Sequence, residues 1–273
     1  MCIQSLISLM PLKADGWICA KGCVVSDSVT GISISGDEVE RSLLKDNLSE
    51  FSRFTHCQRI NLNGRILGSL FQISGHGSLT VLKLAGTSVD GDIVMLKQLS
   101  HLTELSLNSC NLVTGKLETL VQACPKLKIL DLYGCLRLDG PLEPLARLTF
   151  LKELKLADST FTGTLDFCSS LCDLETIHLA RMSLLTGTAD SLVSRKKLKS
   201  LHFNLTIIKG SLDFLSALAL ENLELWDPWH MSLELSSIQN MTSLKKFMTN
   251  AMYQLKGSTQ HLSALDKLET LHI

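Results

Sequence analysis

Apolar positions along this chain recur in a short phrase, L-x-x-L-x-L, and the phrase itself recurs. Leu79, Leu82 and Leu84 form one copy, followed by Leu102, Leu105 and Leu107, and by Leu127, Leu130 and Leu132. Leu151, Leu154 and Leu156, then Leu174, Ile177 and Leu179, then Leu198, Leu201 and Phe203, then Leu220, Leu223 and Leu225 continue the series. Leu244, Phe247 and Thr249 are a degraded copy, and Leu268, Leu271 and Ile273 end the chain. Weaker copies stand earlier, at Val29, Ile32 and Ile34 and at Cys57, Ile60 and Leu62. From Leu79 onward, successive first residues lie 23, 25, 24, 23, 24, 22, 24 and 24 apart. The last two apolar residues of each phrase point to one face and the residue between them to the other, so each phrase predicts a short strand. One such strand cannot bury its apolar side alone. Stacked copies about 4.8 Å apart can, and about eleven of them make a sheet roughly 50 Å along its stacking direction. A repeat of this length predicts a solenoid, one domain over 29–273 of about ten to eleven turns. Between phrases, runs such as Leu142, Leu145 and Leu148 carry apolar residues three apart. That spacing suits a short helix or 3₁₀ turns on the opposite side.

A glycine keeps the same beat, at Gly68, Gly91, Gly115, Gly140, Gly163, Gly187, Gly210 and Gly257. Its surroundings repeat as x-x-G-x-L: Val89-Asp90-Gly91-Asp92-Ile93, Phe161-Thr162-Gly163-Thr164-Leu165, Ile208-Lys209-Gly210-Ser211-Leu212. Phrase, tail and period together resemble the leucine-rich repeat family, and the tail is similar to its plant-type class. The resemblance covers roughly residues 29–273. It implies an α/β fold, a right-handed β-α superhelix with a parallel sheet on its concave face, and a function of binding other molecules. Two marks of the plant-type class are missing. Its proline after the tail is absent, and its asparagine after the strand is replaced by Thr87, Cys110, Cys135, Ser159, Met182, Thr206 and Pro228. Ser, Thr and Cys can replace an amide's hydrogen bonds only in part, so these residues read as filling a tolerant turn.

The first residues, Met1 to Met10, are mildly apolar, lack a basic start and run into Pro11. They read as a helix capping the solenoid rather than as a secretion signal, within a cap segment over 1–28. Trp17, Cys19, Gly22, Cys23 and Val24 are similar to the W-x-G-V-x-C segment that opens many plant-type domains, with its order only partly met. Cys19 and Cys23 read as buried thiols, a disulfide between them being the alternative. The chain stops inside a strand phrase, which would leave an apolar layer open, so it reads as truncated at its C-terminus.

Composition excludes some functions. The formal net charge is −1, which offers no electrostatic case for nucleic acid or an acidic membrane surface. No run of about 18 apolar residues inserts into a membrane. Nine cysteines at irregular spacing make neither a disulfide framework nor a zinc motif. They read as buried, reduced thiols, which leans toward an intracellular compartment. The plant-type resemblance supports the cell surface instead, and the sequons at Asn47, Asn204 and Asn240 do not decide. There is no G-x-S-x-G elbow, P-loop or H-E-x-x-H, and no cofactor is implied.

If the register holds, the residue inside each Leu-x-Leu points out of the concave sheet. That column runs Ser33, Asn61, Lys83, Ser106, Asp131, Lys155, His178, His202, Glu224, Met248 and His272. The next runs Ser35, Asn63, Ala85, Asn108, Tyr133, Ala157, Ala180, Asn204, Trp226 and Asn250. The glycine lapses at Trp226-Asp227-Pro228-Trp229-His230, where two tryptophans gather. The candidate binding residues are therefore Asp131, Tyr133, Lys155, His178, His202, Asn204, Glu224, Trp226, Trp229 and Met248, since exposed aromatics anchor ligands. The alternative for the lapse is an insertion with the tryptophans as packing filler. His178, His202 and Glu224 are the right types for a metal, but a flat sheet holds side chains parallel rather than converging. Asp131, Lys155 and Glu224 read as exposed charge pairs of small value. The resulting expectation is a non-catalytic module holding a protein or peptide ligand, the sensing part of a receptor or adaptor. A spacer protein, or a hydrolase using the His/Glu cluster, is the alternative.

Overall fold

The middle and last apolar residues of the phrases are where the core forms. Leu82, Leu105 and Leu130, like Leu154, Ile177, Leu201 and Leu223, are fully buried. The computed structural model describes residues 17–19, 31–34, 48–52, 55–64, 66–204 and 207–273, the first two segments by their backbone. The expected helix over 1–10, the question of Cys19 and Cys23, and Asn47 lie outside the described residues. The chain forms two compact units, Met1–Leu138 and Asp139–Ile273.

In the first unit, β1 (Trp17–Cys19), β2 (Gly31–Ile34), β3 (Arg59–Leu62), β4 (Val81–Lys83), β5 (Glu104–Ser106) and β6 (Ile129–Asp131) pair in sequence order, all parallel. A second parallel ladder joins Leu67–Ser69, Ser88–Asp92 and Leu112–Lys116. Between the ladders run 3₁₀ turns at Leu70–Ile73 and Ile93–Gln98 and a helix, α1 (Leu117–Ala123).

The second unit repeats the plan with β7 (Glu153–Ala157), β8 (Thr176–Ala180), β9 (Ser200–Asn204), β10 (Asn222–Trp226), β11 (Lys246–Asn250) and β12 (Thr270–His272). Its opposite ladders pair Leu138–Pro141 with Thr160–Thr162, and Gly210–Ser211 with Met231–Glu234 and then Leu255–Lys256. Most connecting segments are 3₁₀ turns, with a short helix, α2, at Leu235–Ile238. The segment 226–231 is therefore no insertion. The turn keeps its period, and Met231 stands in register with Gly210.

The turn after each strand departs from the expected tolerant filler. Thr87 Oγ1 donates to the Leu84 carbonyl at 2.8 Å, and Cys110 Sγ donates to the same oxygen at 2.9 Å. Cys135 Sγ repeats the contact one turn on, to the Leu107 carbonyl at 2.9 Å. Small donors thus take over part of the backbone bonding an asparagine would supply. Burial raises the Cys110 thiol above its usual value and pushes Cys135 up to about 12, so both remain donors. The substitution is incomplete in the second unit: Ser159 Oγ is buried without a partner, and Met182 is fully buried.

Described turns also hold a residue in the left-handed region just beyond the outward column. Gly86, Ser109 and Gly134 do so in the first unit, and Asp158, Arg181, Asp227 and Ala251 in the second. This bend turns the backbone N–H to the next strand, as in Arg181 to the Asn204 carbonyl at 2.8 Å and Asp227 to Asn250 at 2.9 Å. It lengthens the ladder by one bond and squares off the sheet edge.

Thr249 occupies the core position that is leucine or phenylalanine in the preceding turns, and it is 2% exposed. Its Oγ1 has no hydrogen-bond partner. Thr249→Val removes a buried unpaired hydroxyl at constant shape and is expected to stabilise the fold by about 1 kcal/mol, read from urea denaturation.

Candidate ligand-recognition face

Strand pairing in the second unit fixes the outward columns. Lys155, His178, His202, Glu224, Met248 and His272 lie opposite one another in register, as do Ala157, Ala180, Asn204, Trp226 and Asn250. A third outward column runs Glu153, Thr176, Ser200, Asn222, Lys246 and Thr270. Successive strands are one spacing apart, so neighbours in a column act together, but Ala157 and Ala180 are buried and the second column is open only from Asn204 onward.

The centre of the patch is a row of contacts. The His178 and His202 rings are tilted at 32° with centroids 5.2 Å apart. His202 Nδ1 lies 3.3 Å from Glu224 Oε2, and Lys246 Nζ lies 2.6 Å from Glu224 Oε1. Lys155 pairs with Glu153 of its own strand at 2.5 Å. Lys155 and Glu224 thus each form a charge pair, as expected, although that of Glu224 is part-buried rather than exposed. The indole of Trp226 stacks on the His272 ring, centroids 6.2 Å apart at 23°. Asn204 stands beside Trp226 in the same column.

Burial lowers the pKa of His202 below 6.5 against the opposing pull of Glu224, with Lys246 and Lys155 adding to the lowering. Burial works against the Glu224 carboxylate, yet the Lys246 hydrogen bond and the His202 contact hold its pKa below 4.5. Below pH 6.5, and down to the depressed folded value, the unfolded chain takes up a proton at His202 that the folded chain refuses. Stability therefore falls with acidification in that window. The contribution of Glu224 is present above 4.5 and is lost further down, as pH falls through its folded value. His202→Gln is expected to flatten the loss below pH 6.5, as followed by melting temperature against pH.

Trp229 was expected on this sheet and stands beyond it. Asp227 bends left-handed, and the Trp229 N–H closes onto the Asp227 carbonyl at 2.9 Å, so the chain leaves the sheet first. Trp229 meets Tyr253 of the following turn edge-on, with centroids 5.6 Å apart. The two are 56% and 75% exposed, which makes them an open aromatic rim. In the first unit, Asp131 is used locally. Its carboxylate accepts from Ser106 Oγ at 3.3 Å and from the Tyr133 N–H at 3.1 Å, which fixes the end of β6 and the position of Tyr133.

Lys246 and Tyr253 were missed in the sequence. The period of two that marked His202 and Glu224 also marks Lys246, in the first outward position of each phrase. Tyr253 carries no periodic signal, because it belongs to a turn.

The strand-start edge neutralises itself. Glu175 takes Lys152 at 3.3 Å and Lys199 at 3.1 Å, Glu221 takes Lys245 at 2.7 Å, and Lys197 pairs with Asp173 at 2.5 Å. These pairs are exposed and add little stability, but they leave few free charges there. Among the described residues, no group of three or more His, Cys, Asp or Glu is placed to hold a metal ion. The cysteine expectation needs one correction: Cys57, Cys110, Cys124, Cys135 and Cys168 are buried, but Cys172 is exposed, since it follows the 3₁₀ turn instead of packing inside it.

The repeated phrase, the parallel ladder of outward columns and the short helical segments opposite give this chain the leucine-rich repeat solenoid fold. Residues 37–142 match the family model described as the LRR repeats of the FBD-associated F-box protein At5g56370. Among solved structures, an internalin, InlF, from Listeria monocytogenes is similar at 20% identity and TM-score 0.69, over 99% of this chain and 73% of that one. The HAESA receptor kinase ectodomain of Arabidopsis, in complex with an N-terminally extended IDA peptide hormone, is similar at 24% identity and TM-score 0.66, over 82% of this chain. The plant peptide hormone receptor RGFR1, in complex with RGF2, is similar at 17% identity and TM-score 0.60, over 94% of this chain. This chain spans 39% of the HAESA chain and 49% of the RGFR1 chain. No curated protein matches it in sequence. No helix among the described residues is long and apolar enough to cross a membrane.

Proposed function

We propose that this chain is a non-catalytic recognition module that holds a protein or peptide segment on the outward face of its sheet, as the sensing part of a receptor or adaptor. The observation that carries the reading is the second unit's patch, in which His178, His202, Glu224 and Lys246 form a row of ring and ion-pair contacts and Trp226 stacks on His272 beside it. Buried or part-buried aromatics beside paired charges are the composition of binding hot spots. Lys155, Asn204 and Met248 extend this face, and Trp229 with Tyr253 forms its rim. Asp131 and Tyr133 give the first unit an outward face of the same kind. Complexes of HAESA and RGFR1 with peptide hormones support the reading by likeness of fold.

The test is a selection of random displayed peptides on the whole chain, with Trp226→Ala/Lys246→Ala as a counter-target. Peptides that bind the wild-type chain and lose at least tenfold affinity for the double variant, on the order of 1.4 kcal/mol, are expected. Peptides that bind both equally place recognition elsewhere.

A further inference from the structure

The second unit carries its own template for a charge pair just beyond the sheet. Asp158 and Arg181 are the left-handed residues that follow β7 and β8. The Asp158 N–H donates to the carbonyl of Ala180, the residue before Arg181, at 3.0 Å, and Arg181 Nη2 reaches back to Asp158 Oδ2 at 2.6 Å. Asp227 and Ala251 repeat this backbone after β10 and β11. They are left-handed at φ +50° and +51°, and the Asp227 N–H donates to the carbonyl of Asn250, the residue before Ala251, at 2.9 Å. Ala251 therefore stands toward Asp227 as Arg181 stands toward Asp158, but it brings no cation. Among the described residues, the Asp227 carboxylate has neither an ion-pair nor a hydrogen-bond partner, and Lys246 on the adjoining strand is held by Glu224.

Aromatic rings flank this carboxylate. On the sheet side stand Trp226 and Asn250, paired in register. On the other side, the Trp229 N–H closes onto the Asp227 carbonyl at 2.9 Å and the Tyr253 N–H onto the Ala251 carbonyl at 3.1 Å, so the two turns are built alike. The exposed Trp229 and Tyr253 rings meet there. An unpaired carboxylate beside exposed rings suits a guanidinium, whose fork bonds the carboxylate while its plane lies on a ring face. We propose that Asp227 is the docking point for an arginine side chain of the ligand, which takes the place over Ala251 that Arg181 fills beside Asp158. This rests on the reading that a ligand lies on the outward face, and it names one residue the ligand carries. Asp227 follows Trp226 directly, so a segment lying over Trp226 reaches the site with one long side chain.

The test titrates N-acetyl-arginine amide into the whole, isotope-labelled chain and follows the indole N–H signals of Trp226 and Trp229 by nuclear magnetic resonance. Both signals are expected to shift. N-acetyl-citrulline amide, which keeps the shape without the charge, is expected to leave them in place. Asp227→Asn, a residue type that accepts the left-handed bend, is expected to weaken arginine binding by about fivefold or more. Ala251→Arg copies the Asp158–Arg181 arrangement and is expected to abolish binding with the carboxylate still present. Unmoved indole signals in the wild-type chain, or equal binding by Asp227→Asn, would overturn the proposal. Since the probe is a single residue, its failure beside selected peptides that do bind the face removes this site and leaves the recognition reading standing. Arginine-induced shifts with no face-binding peptide selected count against that reading instead.

Discussion

Gly115→Ala is expected to destabilise the fold by about 2–4 kcal/mol, from backbone strain and overpacking together. Gly115 sits at φ +127°, where side chains are rarely tolerated, and an added Cβ would fall 2.6 Å from Ile93 Cγ2 and 3.1 Å from Asp92 Oδ1. Ile93 is fully buried and β-branched, so its methyl cannot swing away. Asp92 cannot yield freely either, because its carboxylate caps the following 3₁₀ turn through the Val94 N–H at 2.8 Å. The repeat supplies its own control. Gly163 is at φ +113°, and its added Cβ would fall 2.6 Å from Glu143 Oε1. That atom ends a flexible, exposed side chain, so Gly163→Ala should show mainly the backbone strain, about 1–2 kcal/mol. Urea denaturation of both variants reads the difference. Equal losses would mean that the tail glycines are needed for their dihedral alone and that turn-to-turn packing at Gly115 is looser than described.

Trp226→Ala is expected to weaken a face-bound peptide by 30-fold or more, a loss of about 2 kcal/mol, while leaving the melting temperature nearly unchanged. The indole is part-buried and packs on the His272 ring on the outward face of the sheet, so removing it deletes contact area with little cavity cost in the core. Trp229→Ala, on the rim, should cost less. The comparison, by titration calorimetry with one selected peptide, separates anchor from rim. An unchanged affinity for Trp226→Ala with a lowered melting temperature would mean that the tryptophan serves packing.

The fold was legible because leucine spacing and strand geometry carry the same information. Leu-x-Leu at a near-constant period permits only stacked parallel strands, and the predicted outward columns are those found in the register from Lys155 to His272. What the sequence concealed lies in the turns. The left-handed position after the strand is glycine at Gly86 and Gly134 but serine, aspartate, arginine or alanine at other described turns, so no single letter marks it. Cys110 and Cys135 looked like filler because a thiol seldom replaces an amide, yet both sulfurs bond leucine carbonyls of the preceding turn. The lapse at Trp226–Met231 looked like a break because a glycine was missing, while the ladder passes through it by backbone pairing alone. Trp229 was misplaced for the same reason: the phrase fixes where a strand runs, and the bend at Asp227 decides where it ends. The partners of Lys155 and Glu224 were set by reach within and between strands, which charge type alone does not specify.

The central claim is that a ligand lies on the outward face of the sheet. A crystal structure of the whole chain with one selected peptide tests it most directly. The account predicts the peptide crossing β8 to β11, in contact with His202, Trp226 and Lys246. A peptide seated against the 3₁₀ segments opposite the sheet would contradict it.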